Sequence, residues 1–244
     1  MKQVLVHTIP YTPKLPVTTT SNELLPVHLY NLRRVSPHPN LQNLVSNSYS
    51  ARNKTWYLML EWDDTEWEPL SNLTTAATSV LDEDDVRDVT VQLLDVVEHC
   101  LRRGVEHRDI SVENILINRD TNQIKLANFQ HSTVLSVVPH TLHTAHSTSS
   151  STPPELYTQG WYTPHQGAVW SVGCIIFEMI TRAKPVLSAA DTAANNVRWE
   201  RLRPHSMTSE LYDLVLTCLN PVPQRRLTWE KLIKHPWLVN ETLV

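Results

Sequence analysis

The feature that most constrains this chain is a His-Arg-Asp tripeptide at residues 107–109, which Asn114 follows five positions after the aspartate. Two β-branched runs come next, at 115–117 and 124–126. They predict a hairpin, because the residues between them include the Asn and Asp that close turns. The hairpin leads directly to Asn128 and an aromatic residue. The tripeptide alone would be a weak signal, but tripeptide, spaced asparagine and hairpin together form a compound pattern, which we interpret as specific.

Length and composition predict a globular chain with a buried core. At 244 residues and 41% hydrophobic content, the chain could hold one large domain or two small lobes. A net charge of -4, without any Lys/Arg run longer than a pair, argues against a nucleic-acid or anionic-membrane surface. The cysteines are three in number, far apart and set in apolar helical patterns, which predicts reduced, buried thiols in a cytoplasmic protein. They are Cys100, Cys174 and Cys218.

Targeting and phosphate-binding signals are weak in this sequence. The first apolar run is too short to predict a signal peptide, and no segment is long enough to predict a membrane span. The chain has four glycines, and the first of them is Gly104. A loop that wraps backbone N–H groups around phosphates needs residues that tolerate positive φ and close approach. The N-terminal part is therefore not expected to cradle phosphates through a glycine-rich loop.

Periodicity divides the chain into a strand-rich first part and a helical second part. In the first part we predict a strand at 2–9, a helix at 22–35, and strands at 41–49 and 56–62. The last of these strands is nearly all apolar, which predicts a central position in a sheet. Residues 63–80 are polar and irregular, and we place the boundary between two lobes there. In the second part we predict helices from 82, at 168–180, at 210–219 and at 228–233, with a long loop at 131–152.

With further motifs in order, the chain resembles a eukaryotic protein-kinase domain, and the Pim family of Ser/Thr kinases in particular. The motifs are Pro153-Pro154-Glu155, Arg226 before Leu227-Thr228, and His235-Pro236-Trp237, and the segments closest to the Pim wording are 104–110, 113–117 and 168–171. The resemblance implies an α+β, bilobal kinase-like fold. Residues 1–62 would form a reduced first lobe with strand 3, helix C and strands 4 and 5, and residues 63–244 the helical second lobe. It also implies an ion pair between Glu155 and Arg226 that braces the second lobe.

The resemblance covers about residues 2–240, and it begins at the family's third strand. The two strands that flank the glycine loop are therefore expected to be missing. Two catalytic positions are retained. Asp109 matches the residue that accepts the proton of the substrate hydroxyl, and Asn114 matches a metal ligand. Glu61, at the end of the last first-lobe strand, joins the set of expected cofactor-binding residues.

Other positions depart from the family pattern: Gln130 replaces a glycine, and four more departures fall where the family has a charged residue. His7 stands where a lysine holds the α- and β-phosphates, and His28 where a glutamate pairs with that lysine. Ser111 replaces a lysine that neutralises the γ-phosphate, and Asn128 replaces the aspartate that binds Mg²⁺. Losing these charges together should remove several kcal/mol of transition-state stabilisation, each ~1.4 kcal/mol being tenfold in rate.

We therefore interpret the chain as a catalytically impaired kinase fold, or pseudokinase, that acts as a binding or regulatory module. Its binding of ATP and Mg²⁺ is expected to be weak or absent. Its expected partner is a protein, either an active kinase or a Ser/Thr substrate protein, with no role for nucleic acid or membrane. Two alternatives stay open: an active Ser/Thr kinase with an atypical metal and phosphate site, using Mn²⁺ or residues outside this chain, and a truncated or decaying gene product. A metal site at His140, His143 and His146 is a further alternative, which lacks an identified fourth ligand.

Overall fold

The computed structural model of the chain describes residues 3–10, 16–18, 24–62, 66–75, 81–135, 140–141, 151–202 and 207–239. Within these ranges the fold is α+β, as predicted, with most of the longer strands in the first quarter of the chain and the long helices after it. None of the helices in the described ranges is both long and apolar enough to cross a membrane.

The elements are numbered in chain order. The strands are β1 Gln3–Pro10, β2 Pro16–Thr18, β3 Leu24–Pro26, β4 Leu44–Ser50, β5 Thr55–Trp62, β6 Glu68–Pro69, β7 Val105–Glu106, β8 Ile115–Ile117, β9 Ile124–Leu126, β10 Thr133–Val134, β11 His140–Thr141 and β12 Trp161–Tyr162. The helices are α1 Val27–Val35, α2 Leu70–Thr75, α3 Glu83–Arg102, α4 Pro154–Gln159, α5 Pro164–Thr181, α6 Ala189–Ala193, α7 Ser209–Cys218 and α8 Trp229–Leu232.

The first sheet has the order β1-β5-β4, and all its pairs are antiparallel. The central position of β5 is confirmed, and it follows from the apolar content of the strand, because a central strand has a neighbour on both edges. Leu5 pairs with Leu60 and His7 with Leu58, so β1 lies in a fixed register on β5. This register places the N-terminal strand next to the candidate site.

The predicted helix at 22–35 is shorter than the sequence indicated. It begins at Val27, and the residues before it, Leu24–Pro26, form β3 and pair with β2. Pro26 stands at the N-cap with extended backbone, because proline fixes φ and lacks an N–H. The helix packs Leu29, Leu32 and Val35 into the core.

The prediction that residues 63–80 are irregular is wrong over its middle part. Glu68 and Pro69 form β6, which pairs with Ile117 and Leu116 of β8, and α2 follows immediately. The pairing partners lie far along the chain, so local periodicity could not indicate the strand. Within this segment, 63–65 and 76–80 lie outside the described residues.

The predicted helix from residue 82 and the predicted hairpin are both confirmed. Asp82 and Asp85 form a capping box at the start of α3, in which each side chain accepts a hydrogen bond from the backbone N–H of the other residue. The hairpin consists of β8 and β9, paired from Ile115–Leu126 to Ile117–Ile124. Ile115, Ile117 and Ile124 are fully buried, which anchors the loops at both ends of the hairpin.

The second lobe is built around α5, which is buried on almost every face as its apolar sequence predicted. Glu155 and Arg226 form the expected ion pair, with Nη1 and Nη2 of the arginine each 2.7 Å from a carboxylate oxygen. Both side chains are buried, and Arg226 lies over the ring of Trp170. The three cysteines are also buried and unpaired with one another, as predicted. The ion pair of Glu155 and Arg226 connects α4 to the segment before α8.

Only the ends of the loop at 131–152 are described. Thr133–Val134 forms β10 on β7, and His140–Thr141 forms β11 on β12. His143 and His146 lie outside the described residues, so the metal-site alternative stays a prediction. Among the residues that the structure does describe, no group of three or more His, Cys, Asp or Glu could hold a metal ion.

Candidate functional site

The His-Arg-Asp loop and the end of the hairpin bring Asp109, Asn114 and Asn128 into one chain of hydrogen bonds. Asn114 Nδ2 donates to the backbone oxygen of Asp109 at 2.8 Å and to its carboxylate Oδ2 at 2.7 Å. Asn128 Nδ2 in turn donates to Asn114 Oδ1 at 2.9 Å. The structure therefore brings together three of the residues that the sequence singled out.

The direction of these bonds is fixed by chemistry. The carboxylate and the carbonyl of Asp109 can only accept, so the amide nitrogen of Asn114 must face them. The amide oxygen of Asn114 then faces Asn128, which must present its own nitrogen. Asn128 has φ 62° and ψ 67°, a left-handed conformation that asparagine tolerates better than most residues. A neutral amide contact thus joins the two positions where the family pattern has metal ligands.

The buried rings of His107 and Phe129 lie next to this chain of hydrogen bonds. His107 Nε2 donates to the backbone oxygen of Ala127 at 2.8 Å, and His107 Nδ1 accepts from the backbone N–H of Asp109 at 3.3 Å. Burial lowers the pKa of His107, and the neutral ring is the form that makes both bonds. The ring also packs edge-on against Phe129, with centroids 4.6 Å apart. His107 therefore fixes the position of Asp109 relative to the end of the hairpin.

Helix α1 is tied to the segment that follows Asn128. Asn31 Nδ2 donates to Ser132 Oγ at 3.0 Å, and both residues are buried. Ser132 Oγ donates in turn to the backbone oxygen of Phe129 at 2.6 Å. The helix, the hairpin end and the loop before β10 therefore form one connected unit.

A cavity of about 320 Å³ lies between β1, β5, α1 and the end of the hairpin. Its lining is mainly apolar, and its polar members are His28, Gln42, Asn128 and Gln130. The apolar members are Leu5, Leu32, Leu58, Leu60, Trp62, Leu116, Ala127 and Phe129. The volume suits a small molecule, because ligand pockets are mostly apolar with a few placed polar groups. Sequence reasoning missed Leu5 and Gln42, since their place at the cavity depends on strand pairing and on the bridge of Leu41 with Leu126.

Among the described residues that line the cavity, none is Lys, Arg, Asp or Glu. His28, which stands where the family pattern has a glutamate, is among the residues that line the cavity. The backbone of His7 pairs with Leu58, two positions along β1 from Leu5. Ser111 is buried, and it hydrogen-bonds to Glu113 rather than presenting a positive charge beside Asp109. Apart from His28, the described lining therefore contains no side chain that could carry a positive or a negative charge near neutral pH.

Glu61 does not line the cavity, although the sequence placed it among the cofactor-binding residues. Its carboxylate forms an ion pair with Lys125 of β9 and accepts a hydrogen bond from Asn43 Nδ2 at 3.2 Å. Lys125 Nζ also lies over the ring of Trp67, 4.7 Å from its centroid. Leu58, Leu60 and Trp62 line the cavity, and alternation along a strand directs Glu61 to the other face. This pair connects the first sheet to the hairpin.

A second polar cluster lies next to the His-Arg-Asp loop, and no local sequence pattern indicates it. Glu106 is buried on β7, which pairs with β10, and it borders a small cavity of about 40 Å³ together with Tyr162, Arg108 and Ala168. Burial raises the pKa of Glu106 to about 7. The hydrogen bond that the hydroxyl of Tyr162 donates to the carboxylate and the positive charge of Arg108 both act in the opposite direction. Burial and the neighbouring Glu106 raise the pKa of Tyr162 as well. The cluster joins the loop to β12.

Comparison with known proteins decides the family, because the protein kinase domain profile matches residues 18–238. The chain belongs to the protein kinase domain family. A solved structure described as the Rad53 kinase domain and SCD2 in complex with AMPPNP is similar to this kinase domain with a TM-score of 0.70. The match covers 98% of this chain and 83% of the chain in that structure, at 21% sequence identity. That likeness concerns the fold, which agrees with the predicted bilobal, kinase-like architecture.

Curated relatives of this kinase domain are named as protein kinases. They include Serine/threonine-protein kinase PLK4 of Nematostella vectensis, 32% identical over 67% of this chain, and CBL-interacting protein kinase 20 of Oryza sativa subsp. japonica, 29% identical over 84%. CDPK-related kinase 5 of Arabidopsis thaliana is 27% identical over 97%. The chain spans 17%, 45% and 39% of the length of these three proteins.

The residues present do not fit ATP and Mg²⁺ well. Mg²⁺ prefers carboxylates together with phosphate oxygens, and Asn128 offers an amide whose nitrogen faces Asn114. The oxygen of Asn114 that would coordinate a metal already accepts a hydrogen bond. The described lining of the cavity carries no cation other than a histidine to neutralise phosphates. A metal-bound triphosphate would have to break the amide contact and bring its own counter-charges.

Proposed function

We propose that this kinase domain is a pseudokinase, in which the fold is kept and phosphoryl transfer is lost or strongly impaired. The observation that carries the proposal is the hydrogen bond from Asn128 Nδ2 to Asn114 Oδ1, at 2.9 Å. Phosphoryl transfer depends on positioning and charge neutralisation by metal ions rather than on covalent chemistry. A neutral contact in place of the metal removes the main source of that stabilisation.

Asp109 has a structural role in this proposal. Its carboxylate and its backbone oxygen both accept from Asn114, and its backbone N–H donates to His107. His107 and Asn114 are buried and Asp109 is half-buried, so these hydrogen bonds hold the loop in one arrangement. The retained residues of the loop therefore hold the hairpin end and α1 in place without a nucleotide.

The proposed activity is binding of a protein, either an active kinase or a Ser/Thr substrate protein. The proposal includes a close relationship to the Pim family, which rests on the sequences of residues 104–110, 113–117 and 168–171. Nucleic acid and membrane have no place in it. ATP and Mg²⁺ would bind weakly or not at all.

The second candidate is an active Ser/Thr kinase with an atypical metal and phosphate site. It is favoured by Asp109 and Asn114, which keep the residue types and the mutual contact of a working loop, and by the relatives, which are named as protein kinases. In that case Mn²⁺ or groups outside this chain would supply the missing charge.

Thermal unfolding with ATP, with and without Mg²⁺ or Mn²⁺, separates the two candidates. The pseudokinase proposal expects no metal-dependent shift of the melting temperature, because ligand binding stabilises only in proportion to its affinity. A metal-dependent shift, together with radiolabel transfer that disappears in Asp109→Asn, would establish the active kinase instead.

Asn128→Asp tests the amide contact directly. The new carboxylate would face Asn114 Oδ1, so two acceptors would meet where one hydrogen bond existed. We expect the variant to lose about 0.5–1.5 kcal/mol of stability without metal, the net contribution of one hydrogen bond, because the exposed side chain can turn to solvent. It should show no measurable kinase activity, since the charges at positions 7 and 111 are still missing. Chemical denaturation and radiolabel transfer measure the two effects.

Asn118→Asp is the matched control, because the side chain of Asn118 acts through its oxygen, which accepts from two backbone N–H groups of the hairpin turn. A carboxylate can keep these bonds, so this variant should unfold like the parent. Robust turnover by Asn128→Asp would overturn the proposal.

A further inference from the structure

Two pairs of arginines, far apart in the sequence, meet at the ends of two helices. Arg33 and Arg34 lie in the last turn of α1, and Arg102 and Arg103 stand at the end of α3. A β-carbon at Gly104, the residue after Arg103, would lie 3.2 Å from Nη2 of Arg34, so this guanidinium rests on the chain just beyond α3. All four arginines are exposed. The fold therefore makes one basic surface from two short pairs.

The partners of Arg34 and Arg103 within the described residues are neutral. Arg34 Nη1 donates to the hydroxyl of Tyr30 at 3.2 Å, and Arg103 Nη1 donates to His99 Nδ1 at 3.2 Å. His99 Nε2 donates to the backbone oxygen of Val35 at 2.7 Å, which leaves Nδ1 as the accepting nitrogen of the neutral ring. Each guanidinium has five N–H donors, so most of them are available to a ligand.

The basic surface is small, because carboxylates border it. Glu98 lies one turn before Arg102, with Oε1 3.8 Å from its Nε, and Asp95 lies 3.3 Å from Nε2 of His38. The whole chain has a net charge of -4. A long polyanion such as nucleic acid would meet this negative charge beyond the arginines, whereas a compact anion would contact the arginines alone.

A phosphate monoester suits two guanidinium groups better than a carboxylate does. It carries a charge of about −1.5 to −2 near neutral pH and has three acceptor oxygens, whereas the two oxygens of a carboxylate are satisfied by a single guanidinium. The partner in the proposed function is an active kinase or a Ser/Thr substrate protein. The product of a Ser/Thr kinase is a protein that carries phosphoserine or phosphothreonine, so this partner class supplies the required group.

We propose that Arg34 and Arg103 bind a phosphoserine or phosphothreonine of a protein partner, and that Arg102 adds to the attraction. The two guanidinium groups donate to different oxygens of one phosphate. None of these arginines lines the cavity of the candidate site, so binding requires neither ATP nor catalysis. The inference rests on the proposed function for the nature of the partner, and it adds the chemical group that is recognised.

Fluorescence anisotropy with two pools of short labelled peptides tests this site. One pool has phosphoserine or phosphothreonine fixed at the centre, the other has serine or threonine there, and the flanking positions are random in both. The parent should bind the phosphorylated pool at least about tenfold more tightly. Arg34→Gln and Arg103→Gln should each weaken this binding by about tenfold, because each removes charge-assisted hydrogen bonds to the phosphate.

Arg33→Gln is the matched control. It removes the same charge from the same turn of α1, but Arg33 points to β4, where it donates to Asn47 Oδ1 at 2.7 Å. This control should bind the phosphorylated pool within about twofold of the parent, because solvent and salt screen exposed charges that do not touch the ligand. Arg34→Lys keeps the charge and loses the planar fork, so its binding should lie between those of the parent and Arg34→Gln. Thermal unfolding checks that each variant is folded.

Equal binding of the two peptide pools would overturn the proposal. An equal loss in Arg33→Gln and Arg34→Gln would do the same, since it would indicate a diffuse positive surface, and so would a random single-stranded oligonucleotide that binds more tightly than the phosphorylated pool. Radiolabel transfer tests the proposed function separately. A chain that binds the phosphorylated pool and also transfers phosphate would refute the pseudokinase proposal and leave the phosphate site intact.

Discussion

Glu155→Ala should destabilise the kinase domain by about 3–5 kcal/mol, because it leaves the guanidinium of Arg226 buried without its counter-charge. Both groups are almost fully buried, so water cannot replace the lost carboxylate. Arg226 would keep its bonds to the backbone oxygens of Asn220 and Gln166, which satisfy only part of its five donors. The loss is a large part of the stability of an ordinary domain, and urea denaturation measures it.

Two further variants separate the charge from the packing. Glu155→Leu combined with Arg226→Met replaces the pair by apolar side chains and should recover most of the loss, because the main cost of the single variant is the uncompensated charge. Arg102→Ala is the exposed control, since Arg102 lies 3.8 Å from Glu98 with its side chain 79% exposed, and it should cost no more than about 0.5 kcal/mol. A single variant as stable as this control would mean that the pair contributes nothing.

Glu106→Gln should change the pH dependence of stability by on the order of 3 kcal/mol between pH 4.5 and pH 8. The folded state raises the pKa of Glu106 from 4.5 to about 7, so in this window the folded chain binds a proton that the unfolded chain releases. The stability of the parent therefore falls as the pH rises from 4.5 through 7. The glutamine cannot ionise, and it can still accept from the hydroxyl of Tyr162.

The measurement is the free energy of unfolding of parent and variant at both ends of this pH range. Relative to the parent, the variant should gain stability as the pH rises. Glu200→Gln is the control, because the side chain of Glu200 is 69% exposed, and its effect should be small and equal at both pH values. A difference between Glu106→Gln and the parent that does not vary with pH would contradict the buried, proton-binding state of Glu106.

The sequence predicted the elements whose signals are local. The apolar strand β5, the acidic start of α3 at Asp82 and the all-apolar α5 each combine propensity with pattern, and they agree with the structure apart from small differences at their ends. It failed where a distant segment decides the outcome. Glu68 and Pro69 become a strand through their pairing with β8, and Leu24 is extended through its pairing with β2. Neither contact leaves a trace in the periodicity of a short window.

For the candidate site, the sequence predicted which residues come together better than it predicted where their side chains point. The spacing of Asp109, Asn114 and Asn128 indicated one site, and the structure joins them by hydrogen bonds. The side chain of Glu61 points away from the cavity, and the alternation of side-chain direction along a strand, which puts Glu61 on the face opposite Leu60 and Trp62, could have predicted this. Glu106 could not have been found, because its raised pKa arises from burial, which depends on segments remote in sequence such as β10 and the part of the chain that carries Tyr162.

The hydrogen bond between Asn31 and Ser132 has a consequence for signalling. It ties helix and loop together through side chains that carry no charge and need no cofactor, so under the proposed function this arrangement is independent of the cellular supply of adenine nucleotides. A binding partner would then encounter one constant surface. Under that function, occupancy of the partner would follow the concentration of this protein and not that of nucleotide.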